Sequence, residues 1–343
     1  MPMMLRGMLW VIAGTLGCAP RPASAPSTPT EAVASPQAAT EGAEAVEEPP
    51  DAEPDAPPPE PPVPTSPDGV PIPPCPADEV PGMVCLDGGP SLRGGTGEHA
   101  CDQGEAKMSL THHNPPETVW VSSFFLDTHE VSYAAYQACV AEGACPARQP
   151  GYLDFRRDAL PMTGVSWYEA RTFCAHHGKR LPTEAEFERA ARHDGAVHPW
   201  GPEPADCERA IIKDAQGRGC GTPMRGSRPD TGRPAPSGSR PAFFGVYDLI
   251  GNVEEWVEDW YQPFETCGEA CTGTDPTGPC AGEADCPPFD RKVVKGGSWY
   301  WGPACATATN RRPHVPSNDP YHHFGFRCAA SVEQALSLTA HAQ

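Results

Sequence analysis

Gly178-Lys179-Arg180-Leu181-Pro182-Thr183-Glu184-Ala185-Glu186-Phe187-Glu188 contains the end of one helix and the start of the next. Gly178 supplies the left-handed conformation that closes a helix, Pro182 stiffens the turn, and Thr183 with Glu186 forms a capping box. The spacing predicts a helix over Glu184–Arg192. Upstream, Ser166 and Glu169 form another capping box, so a helix should run from Trp167 to Gly178. Ser132 can cap a third helix, Tyr133–Glu142, where Tyr133, Tyr136 and Val140 recur at helical spacing. Before these helices, Thr118–Val121 and Phe124–Leu126 are rich in β-branched and aromatic residues and read as strand.

Beyond Asp194 the pattern changes. Glycine, proline and cysteine recur throughout, only short strands are expected, and no internal repeat is visible. The fold class predicted is α+β: one loop-rich domain over residues 75–335, stapled by disulfides, with a short tail over 336–343. Ahead of it, residues 19–74 are mostly Pro, Ala, Glu, Ser and Thr, a composition that cannot offset its ordering entropy and reads as a disordered, self-repelling linker. Residues 1–18 read as a signal peptide: Arg6, an apolar run over Met8–Leu16, then a lipobox-like Thr15-Leu16-Gly17-Cys18. Cys18 is thus the expected lipidation site, and the protein is expected to be exported as a periplasmic or cell-surface lipoprotein. Its membrane contact would then be through that anchor alone.

The net charge of −20 argues against nucleic acid as a partner, since a phosphate backbone is bound by releasing counterions to basic groups. There are 15 cysteines; setting Cys18 aside leaves an even number, as suits a fully paired protein in an oxidising compartment. No Cys-x-x-Cys pair with a matching second pair occurs, which argues against a zinc site.

Four segments, in order and in spacing, resemble the formylglycine-generating (sulfatase-modifying factor) family. They are Phe125-Leu126-Asp127 with Glu130-Val131; Pro161 and Val165-Ser166-Trp167 through Gly178–Glu188; Tyr247-Asp248-Leu249-Ile250-Gly251-Asn252-Val253-Glu254-Glu255-Trp256; and Lys295-Gly296-Gly297-Ser298-Trp299 closing with Gly325-Phe326-Arg327-Cys328. Pro199-Trp200-Gly201 adds a shorter match. The resemblance implies a variant of the C-type-lectin-like fold. It also implies structural Ca2+ on oxygens of Asp248, Gly251, Val253 and Glu255, a hard-cation set of carboxylates and backbone carbonyls on one tight turn. Asp230 matches a second family calcium site only after a shift, and that site is not carried over. A family disulfide implies Cys174 with Cys328. Local pairing is expected for Cys139 with Cys145, Cys207 with Cys220 and Cys75 with Cys85. Cys267, Cys271, Cys280 and Cys286 should pair among themselves in one of three ways, leaving Cys101 and Cys305 over.

The resemblance breaks at the redox centre. Oxidase members hold Cu(I) between two thiolates, at the third and eighth positions after the serine of Gly-Gly-Ser, and two soft ligands are what Cu(I) needs. Here those positions are Trp301 and Ala306, with Cys305 one residue before the second. Ser298 and Cys305 remain the catalytic candidates, but copper is not expected to bind. An iron-dependent branch uses His-x-x-x-His-x-Glu, a spacing that His112-His113, His176-His177 and His322-His323 do not have. The expectation is therefore a calcium-stabilised binding or accessory module for a protein, peptide or glycan, with a copper- or iron-dependent thiol oxidoreductase as the alternative. Trp301, Arg311, Arg312, His314 and His322, beside Trp299, Tyr300 and Tyr321, would form its ligand surface, the two arginines suiting an anionic group.

Overall fold

The computed structural model describes residues 62–95, 101, 114–192, 195–225, 231–317 and 321–340. The signal peptide, Cys18, most of the linker, His112-His113 and Asp230 lie outside the described residues.

Strands β1 (Met83–Leu86), β4 (Phe124–Asp127) and β9 (Ala329–Ser331) form a three-stranded antiparallel sheet in the order β1-β4-β9. β2 (Gly89–Gly95) and β3 (Asn114–Val121) form an antiparallel pair. The third sheet runs β7 (Arg311–His314), β6 (Lys292–Lys295), β5 (Glu254–Trp260), β8 (Phe324–Gly325), with β8 parallel to β5. Against them lie α1 (Tyr133–Ala141), α2 (Trp167–His176) and α3 (Glu184–Ala190).

The capping chemistry has its expected consequences. Ser132 Oγ accepts from the Ala135 amide, and both capping boxes are complete: Ser166 with Glu169, Thr183 with Glu186. Gly178, at φ 68°, closes α2 while the Lys179 amide reaches back to the Cys174 carbonyl. α3 ends two residues before Arg192, whose guanidinium donates to the Gly94 and Gly195 carbonyls. One core gathers Val119, Val121, Phe124, Leu126, Phe187, Leu249, Val257 and Val293; a second gathers Tyr136, Trp167, Phe173, Trp256, Phe324 and Phe326.

Two expected boundaries move. Packed chain begins before Cys75: Thr65 bridges Pro71, and Ile72 is buried against Gly88, where a Cβ would meet its Cγ2 at 2.4 Å. At the other end, residues 336–340 of the expected tail continue a helix, α4 (Val332–Ala340), whose Leu338 packs on Gly178.

Seven disulfides lie among the described residues: Cys75–Cys85, Cys101–Cys305, Cys139–Cys145, Cys174–Cys328, Cys207–Cys220, Cys267–Cys271 and Cys280–Cys286. Each leftover cysteine is thus the other's partner. No described helix is long and apolar enough to cross a membrane.

Candidate functional site

After β6 the chain makes two left-handed turns, at Gly296 (φ 86°) and Gly297 (φ 74°). Side chains are barred there by contact as well as by torsion. A Cβ on Gly297 would lie 2.5 Å from the Cys305 carbonyl, and one on Gly296 would lie 2.8 Å from that of Leu249. The double turn delivers Ser298, Trp299, Tyr300 and Trp301 to a cluster of rings. Trp299 meets Phe155 edge to face at 5.5 Å and His322 at 5.6 Å; Tyr300 lies 4.7 Å from Trp301 and stacks on His323 at 5.1 Å. Tyr152 meets His322 at 5.1 Å, and Tyr321 meets His314 at 4.7 Å.

This cluster contains buried polar atoms with no partner among the described residues: Ser298 Oγ, Trp299 Nε1, Trp301 Nε1 and His323 Nδ1. Burial, then the neighbouring arginines, keeps its imidazoles neutral. His322 and His314 are each lowered to about 4, and His323 falls well below the usual histidine value. His323 Nε2 lies 3.2 Å from Arg312 Nη1 and 3.4 Å from Glu254 Oε2. A guanidinium can only donate, so in the nearer contact Nε2 accepts and the ring proton sits on Nδ1. The unmet groups are then three N–H donors and one hydroxyl.

The structure divides the expected ligand surface. Trp301, Arg312 and His322 are half-buried members of the cluster, whereas Arg311 and His314 are buried. Strand alternation in β7 explains the arginines: Arg311 turns inward to grip Glu184 with Nε at 2.8 Å and Nη2 at 2.7 Å, and its neighbour Arg312 turns toward Glu254 and His323. Arg311 is therefore frame, correcting its expected place on the ligand surface. His314 packs its ring against Trp256, Phe324 and Tyr321. Tyr152 and Arg218 were missed in the sequence, whereas His323 stands in the same cluster as Ser298, as the His322-His323 pair suggested. The Arg218 guanidinium lies 3.6 Å above the Tyr300 ring, from a loop far away in the chain, and no local pattern signals that approach.

The copper site does not fit these residues. Cys305, expected as the remaining thiol, is 3% exposed and bonded to Cys101, so it offers no thiolate. Trp301 and Ala306 stand at the family's two cysteine positions, and Ser298 alone supplies no redox chemistry.

The turn before β5 is different. Asp248, at φ 54°, accepts from the Gly238 amide at 2.7 Å and Ser237 Oγ at 3.2 Å through Oδ2, while Oδ1 is buried with no partner among the described residues. Glu255 is clamped by Arg327, Nε and Nη2 each at 2.7 Å. Glu130, whose part here was not foreseen, accepts from the Asn252 side chain and the Val253 amide. Burial raises all three carboxyls above the usual range, and mutual repulsion raises Glu130 and Glu255 further, with Arg327 as counter-charge. No group of three or more His, Cys, Asp or Glu side chains shaped for a metal occurs among the described residues. A cation here would therefore need backbone carbonyls, as the turn at Gly251 and Val253 allows. The unmet Asp248 Oδ1 and the surplus of carboxylate over guanidinium fit a hard cation; Glu255 would have to share its oxygens with Arg327.

Residues 71–332 match the Sulfatase-modifying factor enzyme 1-like domain. The chain is 35% identical over 193 residues to the formylglycine-generating enzyme of Thermomonospora curvata, covering 53% of this chain and 59% of that protein. It is 34% identical over 182 residues to mouse inactive C-alpha-formylglycine-generating enzyme 2, covering 50% of each. It therefore spans only 50–59% of the length of these two relatives. Among solved structures, PvdO from Pseudomonas aeruginosa has a TM-score of 0.52 at 23% identity, covering 73% of this chain and 94% of its own. Treponema denticola variable protein 1 also scores 0.52, at 20% identity, with the same coverage. At these identities the likeness is one of fold. The four motifs, the sheets that join them and the matched domain over residues 71–332 make this chain a member of the formylglycine-generating (sulfatase-modifying factor) family.

Proposed function

We propose that this protein is an exported binding or accessory module that has kept the family scaffold and lost its copper chemistry. One observation carries the reading: Trp301 and Ala306 replace the thiol pair, and the nearby Cys305 is bonded to Cys101. Ligand binding is supported by the ring cluster, where four buried polar atoms lack partners among the described residues. An unmet buried donor costs about 1–3 kcal/mol, a cost that a ligand accepting those bonds would recover. The existence of an inactive relative in mouse, similar over half of this chain, is in keeping with that reading.

Structural calcium at Asp248, Gly251, Val253 and Glu255 belongs to the same proposal, supported by the unmet Asp248 Oδ1. When bound, the ion would neutralise the buried carboxylates and pin the turn that leads into β5. Export, supported by the seven disulfides among the described residues, completes it, with lipidation at Cys18 read from the sequence alone.

The test is a Cu(I) titration of the oxidised protein under a competing chelator, with a thiol count under denaturation, beside a Cys305→Ser variant. The expected result is no tight copper binding by either protein. Tight one-to-one binding that the substitution abolishes would instead assign the protein to the oxidoreductases.

A further inference from the structure

In a chain of net charge −20, the surface around the ring cluster is basic. Arg157 pairs with Asp154 at 2.8 Å, and Arg225 lies 3.8 Å from the same carboxylate. Arg233 is close enough for its guanidinium to be lowered, first by burial and then by repulsion from Arg157. Arg218 covers Tyr300, and Arg312 lies 5.8 Å from the centre of Trp301 and 5.5 Å from that of Tyr321. These groups adjoin one another through Phe155, which follows Asp154 in the chain and packs on Trp299.

Solvent meets the cations rather than their counter-ions. Asp154 and Glu254, the carboxylates paired with Arg157, Arg225 and Arg312, are buried, whereas the Arg225 side chain is 91% exposed. Apolar groups flank the charges: Leu153 is 77% exposed, and Tyr152 and Tyr321 are about half as open. The polar atoms at the centre without a partner among the described residues are N–H donors and a hydroxyl.

We infer that this face binds an acidic peptide segment carrying an apolar side chain, with carboxylates on the arginines and the apolar group against Tyr152, Leu153 and Tyr321. The inference rests on the binding-module reading and names its ligand class. A guanidinium fork matches a carboxylate in two parallel hydrogen bonds. A sugar is the poorer fit because the rings meet edge to face: Tyr300 with Trp301 at 75°, Trp299 with Tyr300 at 84°, Tyr152 with His322 at 81°.

The experiment uses the full oxidised chain and three labelled probes: an octapeptide alternating glutamate with leucine, its glutamine-for-glutamate twin, and a heparin octasaccharide. Binding is read by anisotropy and by tryptophan fluorescence, in the wild type and in an Arg157→Glu, Arg225→Glu double variant whose folding is checked by thermal melting. The acidic peptide should bind at least about tenfold tighter than its twin, weaken as salt rises, and lose about tenfold or more in the double variant. Equal binding of the two peptides would overturn the acidic requirement while leaving the binding-module reading intact. Binding of heparin alone would overturn the peptide assignment, and binding of no probe would overturn the inference. The copper titration, by contrast, decides whether the underlying reading stands.

Discussion

Lys295 and Ser298 are separated by two glycines, and Arg311 and Arg312 are adjacent, yet they serve regions built on opposite principles. Around Lys295 the buried charges are paired with one another. Its ammonium lies 2.8 Å from Glu188 and 3.1 Å from Glu184, and Arg311 grips Glu184 from the other side. Burial alone would raise Glu184, but Arg311 and Lys295 outweigh it and hold the carboxyl at about 2. Around Ser298 several side chains are only half-buried, and the buried polar atoms of Ser298, Trp299, Trp301 and His323 have no partner among the described residues. A satisfied buried network holds a frame together and is intolerant of truncation. A buried cluster with spare donors is costly to the free protein, and its arrangement makes sense if something outside the chain completes it.

The largest effect should come from truncating the matched side. Lys295→Ala leaves Glu184 and Glu188 buried with less compensation and should cost about 3–5 kcal/mol in urea unfolding. A cost near zero would break the contrast. Acid should work on the same network: Glu184 has its folded value depressed, so its contribution is present above the unfolded carboxylate range and lost as pH falls toward 2.

Next in size is the Cys101–Cys305 bridge, which spans 204 residues and holds the short turn behind the ring cluster. Replacing both cysteines by serine should lower stability by about 2–5 kcal/mol and leave Cu(I) binding as weak as in the parent. Tight copper binding in the single Cys305→Ser protein would assign it to Cys101 and sharpen the question of what the bridge conceals.

The Asp248 turn should respond more modestly. Glu130, Asp248 and Glu255 have folded values raised above the unfolded ones. The folded state therefore holds extra protons, and their contribution is greatest at low pH and is lost as pH rises through the folded values. In chelator, this part of stability should fall as pH rises above about 4 and through the raised folded values. Calcium at about a hundredfold over its Kd should restore about 2.7 kcal/mol in the parent, read as a melting shift, and nothing in Asp248→Ala. A pH profile unchanged by calcium would remove the cation from the turn.

Ser298→Ala should be the mildest. Removing a buried hydroxyl with no partner is expected to change stability by less than about 0.5 kcal/mol, or to increase it. A loss above about 1 kcal/mol would mean that Ser298 Oγ already has its hydrogen bond, and the contrast with Lys295 would lose its sharpest point.

The local code was legible in the residues. Both capping boxes and the Gly178 closure follow from side-chain oxygens and torsional freedom within a few positions, so neighbouring sequence was enough to place them. The family motifs were legible in their order and spacing along the chain. They placed Cys174 opposite Cys328, and the absence of cysteine at 301 and 306 was a matter of reading. What residue order did not hold was which distant groups share a space. Arg311 and Arg312 look interchangeable until β7 pairs with β6 and alternation sends one to Glu184 and the other toward His323. Cys101 and Cys305 are leftovers until a chain closure over 204 residues joins them. Glu130 enters the Asp248 turn across 118 positions, and Arg218 comes to rest on Tyr300 across 82. Caps, turns and motif chemistry depend on short-range geometry and are written along the chain. Charge pairing, burial and the unmet donors of the ring cluster depend on which surfaces the fold presses together, and only the tertiary structure decides that.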